Sequence, residues 1–220
     1  MGQNELIYFT DPMCSWCYGF GPQFRKLEEH YGSEMPVTLL MGGLRTDVNE
    51  PMSEKMAGEI RHHWEMVQKA SGLDFHFSFF EEHPDFIYNT EPACRAVVTA
   101  WLMDSGKMTD YQEGIQAAFY AQGRDPKLPE VQDEVAGKIG LDPLAFRSAY
   151  DEPRAREVTE NHFAITRKLG VSGFPSIVLR IEERAYSISR GFMPFSDMVS
   201  RIDYYLEKEN DPSNGARVEQ

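Results

Sequence analysis

The chain has only three cysteines, one C-x-x-C pair, and no apolar run long enough to span a bilayer. So few cysteines exclude a disulfide-stapled scaffold. Basic residues are also outnumbered: 22 Lys and Arg stand against 35 Asp and Glu, a formal net charge of −13. That balance argues against nucleic acid or an anionic membrane as partner and favours solubility. Residues Met1 to Glu5 lack the basic and apolar regions of a secretory signal, so a cytoplasmic location is expected. Internal repeats and low-complexity tracts are absent as well. What remains is an aromatic-rich chain of 220 residues, enough for one large domain or one domain interrupted by another.

The stretch with the clearest chemistry is Asp11-Pro12-Met13-Cys14-Ser15-Trp16-Cys17-Tyr18-Gly19-Phe20. It follows the apolar run Leu6-Ile7-Tyr8-Phe9 and precedes a helical pattern. A cysteine where a strand hands over to a helix sits beside free backbone N–H groups and the positive end of the helix dipole. Both favour thiolate over thiol, and such cysteines titrate at about 3.5–7.5 rather than about 8.5. Cys17, roughly one helical turn on, can close a disulfide with Cys14. Half of a zinc site is the competing reading, but zinc normally takes four ligands. Cys94 stands alone, His62 and His63 point about 100° apart on a helix, and the other histidines are scattered. A redox pair is the reading the spacing favours.

In chain order, Leu6–Phe9 reads as a buried strand, and Cys17–His30 as a helix that Gly32 stops. Gly19, Gly21 and Pro22 predict a kink or a broken start in that helix. Val37–Met41 is a second strand, ended by Gly42-Gly43, and the β-α-β connection makes the two strands parallel. Between about Pro51 and Leu169 the pattern is helical: 53–70, 91–104, 109–122, 129–138, 143–150 and 153–169. Phe75 to Phe80 alternates but is isolated, and is expected to be extended or a short turn. Ser176–Ile181 is continuous and β-branched, as a central strand should be. Ala185–Ser189 forms an antiparallel partner, and a last helix runs from about Pro194 to Glu207. The expected fold class is α/β, with two α/β pieces (1–48 and 170–207) flanking a helical insertion (49–169). Residues 208–220 read as a mobile tail.

This order of parts, with Gly170-Val171-Ser172-Gly173-Phe174-Pro175-Ser176 before the central strand, resembles the DsbA-like branch of the thioredoxin superfamily. The Cys14-Ser15-Trp16-Cys17 block and its flanks are most similar to cytosolic DsbA-like proteins of the FrnE type. The resemblance covers roughly residues 5–207. It implies a thioredoxin-like fold with a large helical insertion, Cys14 as the attacking sulfur and Cys17 as the resolving one. It also implies a cis peptide before Pro175, lying against the pair. X-Pro is the bond at which cis costs only about 0.5–1 kcal/mol. In that family a buried acid often stands six residues before the first cysteine; here that position is Tyr8. Asp11 is a nearby alternative, although an Asp-Pro turn explains it equally.

The activity implied is thiol–disulfide oxidoreduction or isomerisation on protein or peptide disulfides, with no cofactor beyond the Cys14–Cys17 disulfide. Glutathione or a thioredoxin-type protein is the implied electron partner. Ser15-Trp16 brings no cation to Cys14, so moderate thiolate stabilisation is expected, favouring reduction or isomerisation over strong oxidation. Ser15, Trp16, Gly173 and Phe174 are the candidate substrate-binding residues. Met13, Phe20, Phe192 and Met193 are apolar neighbours for which a core role is the simpler expectation. Cys94 reads as inert packing, and His62, His63 and Trp64 as a solvated or domain-facing helix surface. Two rivals stand beside this reading. Glutathione-dependent isomerases and kappa-type transferases share the layout but typically place serine at the first reactive position. A non-catalytic redox sensor that binds peptides would also keep the pair.

Overall fold

The computed structural model describes residues 4–32 and 34–210. Strand β1 (Glu5–Thr10) alternates Leu6 and Tyr8 on one side with Ile7 and Phe9 on the other. It pairs in parallel with β2 (Val37–Met41), Leu6 opposite Val37 and Thr10 opposite Met41. On its other side it runs antiparallel to β3 (Ser176–Ile181), which is antiparallel to β4 (Arg184–Arg190). The order is β2-β1-β3-β4, a mixed four-stranded sheet. This is the DsbA-like thioredoxin fold, with the helical stretch inserted between β2 and β3.

Helix α1 (Ser15–Tyr31) links β1 to β2 and runs unbroken through Gly19, Gly21 and Pro22. Of the expected kink or broken start, the broken start is absent. Gly19 serves contact instead: a Cβ there would lie 2.5 Å from Val67 Cγ1 on α2 (Glu54–Ser71). α2 begins at Ser53, whose hydroxyl accepts from the Met56 N–H, and stops at Gly72 in the left-handed conformation. After it come α3 (Phe79–Glu82), α4 (Glu91–Met103), α5 (Met108–Tyr120), α6 (Pro129–Lys138), α7 (Pro143–Asp151) and α8 (Pro153–Lys168). The 75–80 segment therefore ends in one helical turn. The last helix, α9 (Phe195–Asn210), outruns its expected end. Its Glu209 carboxylate accepts from Arg184 at 2.7 Å and from the Tyr186 hydroxyl, which fastens the final turn to β4. Residues 208–210 are thus helical rather than a tail, and 211–220 lie outside the described residues.

Two clusters hold the molecule together. The first joins Leu6, Tyr8, Ile177 and Leu179 of the sheet to Phe20, Phe24 and Ile202 on one side, and to Val97, Ile115 and Phe146 of the inserted helices. The second is an aromatic nest around Trp64, made of Phe75, Phe79, Phe119 and Tyr120, with Met13 from the C-x-x-C approach inside it. His62 and His63 are exposed, as the solvated reading has it, whereas Trp64 is fully buried and follows the domain-facing alternative. Its polar neighbours in His62-His63-Trp64-Glu65 concealed the narrow apolar stripe of α2, on which Trp64 and Val67 are the buried residues. On the other face of the sheet α8 covers β2. The Met41 N–H donates to His162 Nδ1 (3.4 Å), and Thr166 Oγ1 donates to the Met41 carbonyl (3.1 Å).

Trp64→Ala should cost about 3–5 kcal/mol in urea denaturation; a loss under about 0.5 kcal/mol would return Trp64 to the surface. Burial pushes the His162 imidazole down to about 4. A folded value below the unfolded one of about 6.5 means stability present above that pH and lost as pH falls toward 4, about 3 kcal/mol in all. Denaturation midpoints of His162→Gln should lack this part of the acid loss, and a parallel pH profile in the two proteins would show that His162 contributes none.

Candidate active site

Cys14 is the N-cap of α1, with extended backbone (φ −94°, ψ 115°) and no side chain capping the helix. Its sulfur therefore shares the helix end with the N–H groups of the first turn, which no intrahelical carbonyl reaches. The Cys14 thiol lies 3.5 Å from the Phe174 carbonyl oxygen and donates to it. The Phe174–Pro175 peptide is cis. Both cysteines are free thiols; Cys14 retains 6% exposure and Cys17 none. Burial, and then the hydrogen bond and charge of Cys14, hold the Cys17 thiol well above its ordinary pKa, although the Asp11 N–H and the Thr10 hydroxyl oppose this. The Tyr8 hydroxyl is fully buried beside Thr10 and Cys17, and burial raises its pKa too. Tyr8 stands six residues before Cys14, and burial keeps its hydroxyl neutral.

Asp11 is more than a turn residue. Its side chain is closed from solvent and accepts four hydrogen bonds. Oδ1 takes the Met13 N–H at 2.9 Å. Oδ2 takes the Leu44 N–H at 2.7 Å, the Thr90 hydroxyl at 2.9 Å and the Cys94 thiol at 3.5 Å. Burial raises the Asp11 pKa despite these donors. The Tyr88 hydroxyl donates to the Met13 carbonyl, so the residue before Cys14 is held at both backbone groups. Cys94 is packing with one hydrogen bond, and its burial raises its thiol pKa as well. Among the described residues, no three His, Cys, Asp or Glu converge to hold a metal ion.

The candidate substrate residues divide. Gly173 is exposed, and Ser15, Trp16 and Phe174 are half-buried. The Trp16 ring lies 6.2 Å from that of Phe192, giving one apolar edge beside Cys14. Met13 and Phe20 are core, and Met193 packs partly buried against it. Sequence reasoning passed over Gly42. A Cβ there would lie 2.1 Å from Phe174 Cζ, so the absent side chain is where the Phe174 ring rests. The Gly42-Gly43 doublet, read only as a strand end, was the available signal. Tyr88 and Thr90 carried none.

The sequence model of the DSBA-like thioredoxin domain matches residues 5–198. A crystal structure of a candidate protein disulfide isomerase from Nitrosomonas europaea superposes with a TM-score of 0.87 at 31% identity, over 95% of this chain and 100% of that one. The cytosolic disulfide reductase DsbM from Pseudomonas aeruginosa superposes at 0.76 with 25% identity, over 93% and 99%. A sequence relative, the ClpXP adapter protein SpxH of Bacillus subtilis, is 20% identical over 79% of this chain. The chain spans 57% of that relative's length.

Gly42→Ala should cost about 1–3 kcal/mol by overpacking against the Phe174 ring. In a Phe174→Ala background the same change should be nearly free, and equal costs in both backgrounds would show that the two residues do not touch.

Proposed function

The chain belongs to the DSBA-like thioredoxin domain family, and from that premise we propose that it reduces or isomerises disulfides of proteins or peptides through Cys14 and Cys17. The observation that carries this reading is the place of the Cys14 sulfur. It stands at the start of α1, 3.5 Å from the Phe174 carbonyl oxygen, with the fully buried Cys17 one turn away. In the reducing direction the Cys14 thiolate attacks one sulfur of the substrate disulfide. That S–S bond breaks, the other substrate sulfur leaves as thiolate and takes a proton from solvent, and a mixed disulfide forms.

Cys17 loses its proton and attacks the Cys14 sulfur. The mixed disulfide breaks, the second substrate thiol departs, and the enzyme holds a Cys14–Cys17 disulfide in place of two electrons. Two glutathione molecules or a thioredoxin-type dithiol return those electrons. In isomerisation the freed substrate thiolate attacks a second disulfide of the substrate and opens it; the thiolate this releases attacks the substrate sulfur bonded to Cys14, Cys14 leaves as thiolate, and no net electrons move. Order is built into the pair, because a charge on Cys14 raises the Cys17 pKa. Forming the mixed disulfide removes that charge, so Cys17 ionises more readily when it is needed.

Wild-type protein should accelerate insulin reduction by dithiothreitol or glutathione, and Cys14→Ser should abolish it, about 100-fold or more. Cys17→Ser should accumulate a mixed disulfide with substrate on non-reducing gels. Absence of wild-type turnover would leave a peptide-binding protein, and turnover surviving in Cys14→Ser would favour glutathione-dependent isomerase or transferase chemistry.

A further inference from the structure

Strand β4 does not alternate cleanly. Ala185 and Ser187 stand opposite Arg180 and Val178, but the register then shifts, and Arg190 rather than Ser189 stands opposite Ser176. An added residue re-aims every side chain beyond it. Ser189 is turned into the fold, 1% exposed, and Arg190 faces outward. Leu6, Tyr8, Ile177 and Leu179 share a cluster with α1 and α9, so Ile7, Phe9 and Val178 look to the opposite side of the sheet.

There, the sheet and the segment 169–174 enclose a groove of about 630 Å³. Phe9, Leu169, Val171, Phe174 and Val178 make it apolar, and its only charged lining residues among those described are Arg180 and Arg190. In a chain with 35 acidic side chains against 22 basic ones, a groove free of carboxylates inverts the prevailing sign. Arg180 is paired with Glu5 at 2.6 Å. The Arg190 side chain makes neither a hydrogen bond nor an ion pair with the described residues.

We propose that this groove seats an extended segment of the substrate polypeptide flanking its target cysteine, an apolar side chain lying on Leu169 and Val171 and a carboxylate on Arg190. The proposal rests on the reading of Cys14 as the attacking sulfur. The groove reaches Phe174, whose carbonyl touches the Cys14 thiol, and the Gly191 N–H donates to the Pro175 carbonyl at 2.7 Å. Arg190 is thereby tied to the loop that faces Cys14. The fork of a guanidinium matches a carboxylate through two hydrogen bonds.

The test uses short synthetic peptides with one cysteine, each a mixed disulfide with thionitrobenzoate, and Asp, Asn or Lys placed in turn at every flanking position. Wild-type protein should release thionitrobenzoate about fivefold faster with Asp than with Lys at one of those positions in low salt. The preference should shrink as salt rises. Arg190→Gln should flatten it and Arg190→Glu should invert it, while all three proteins react equally with the mercaptoethanol mixed disulfide, which has no peptide. An unchanged Asp preference in Arg190→Glu, or an equal loss of rate on every substrate, overturns the groove. A wild-type dimer in sedimentation that Arg190→Glu dissociates would give this face to a second copy, overturning it too. Failure of wild-type protein to react with any disulfide removes the oxidoreductase reading, and the groove's role with it.

Discussion

The Asp11 carboxyl group accepts hydrogen bonds from four donors in a place that solvent does not reach. One donor belongs to its own loop, one follows β2, and two lie at the start of α4. A buried carboxyl is costly unless its oxygens are satisfied, and each donor left without it would be orphaned in turn. The loop from Asp11 to Cys14 is therefore held as a unit between the sheet and the inserted helices. Tyr88 grips the Met13 carbonyl from the same insertion, and the Met13 side chain is enclosed in the aromatic nest. The Cys14 sulfur projects from that fixed loop. Preorganised groups need no rearrangement when charge appears, which is how a scaffold contributes to chemistry at a few atoms.

A second set of contacts brings the other wall. Phe174 comes from the far end of the chain and rests its ring where Gly42 has no side chain. Its carbonyl meets the Cys14 thiol as a result. Gly191 then binds the Pro175 carbonyl, so the end of β4 is coupled to the same loop. One strip of backbone runs from the start of α1 across the proline loop into the arginine-bearing groove. The two faces of the sheet do different work. One carries α1 and α9 and closes the main core, while the other is covered by α8 only beside β2 and stays open under β3 and β4.

Sequence by itself determined the parts whose cause is local. Strands β2 and β3 were legible to the residue, because apolar runs bounded by glycine or proline have few other solutions. The place of the C-x-x-C pair at the start of α1 was legible because a short apolar strand handing over to a helix shows in the local pattern. Only tertiary structure could decide the rest. Leu44, Thr90 and Cys94 lie 33, 79 and 83 residues from Asp11, and no periodicity carries a contact across such distances. Trp64 hid among polar neighbours because its burial depends on rings supplied by other segments. Arg190 sat where simple alternation gave no reason to expect it in the groove, since one extra residue in an edge strand reverses which side chain faces out. Local spacing places the two sulfurs at the helix start, whereas their neighbours are chosen by how distant segments pack.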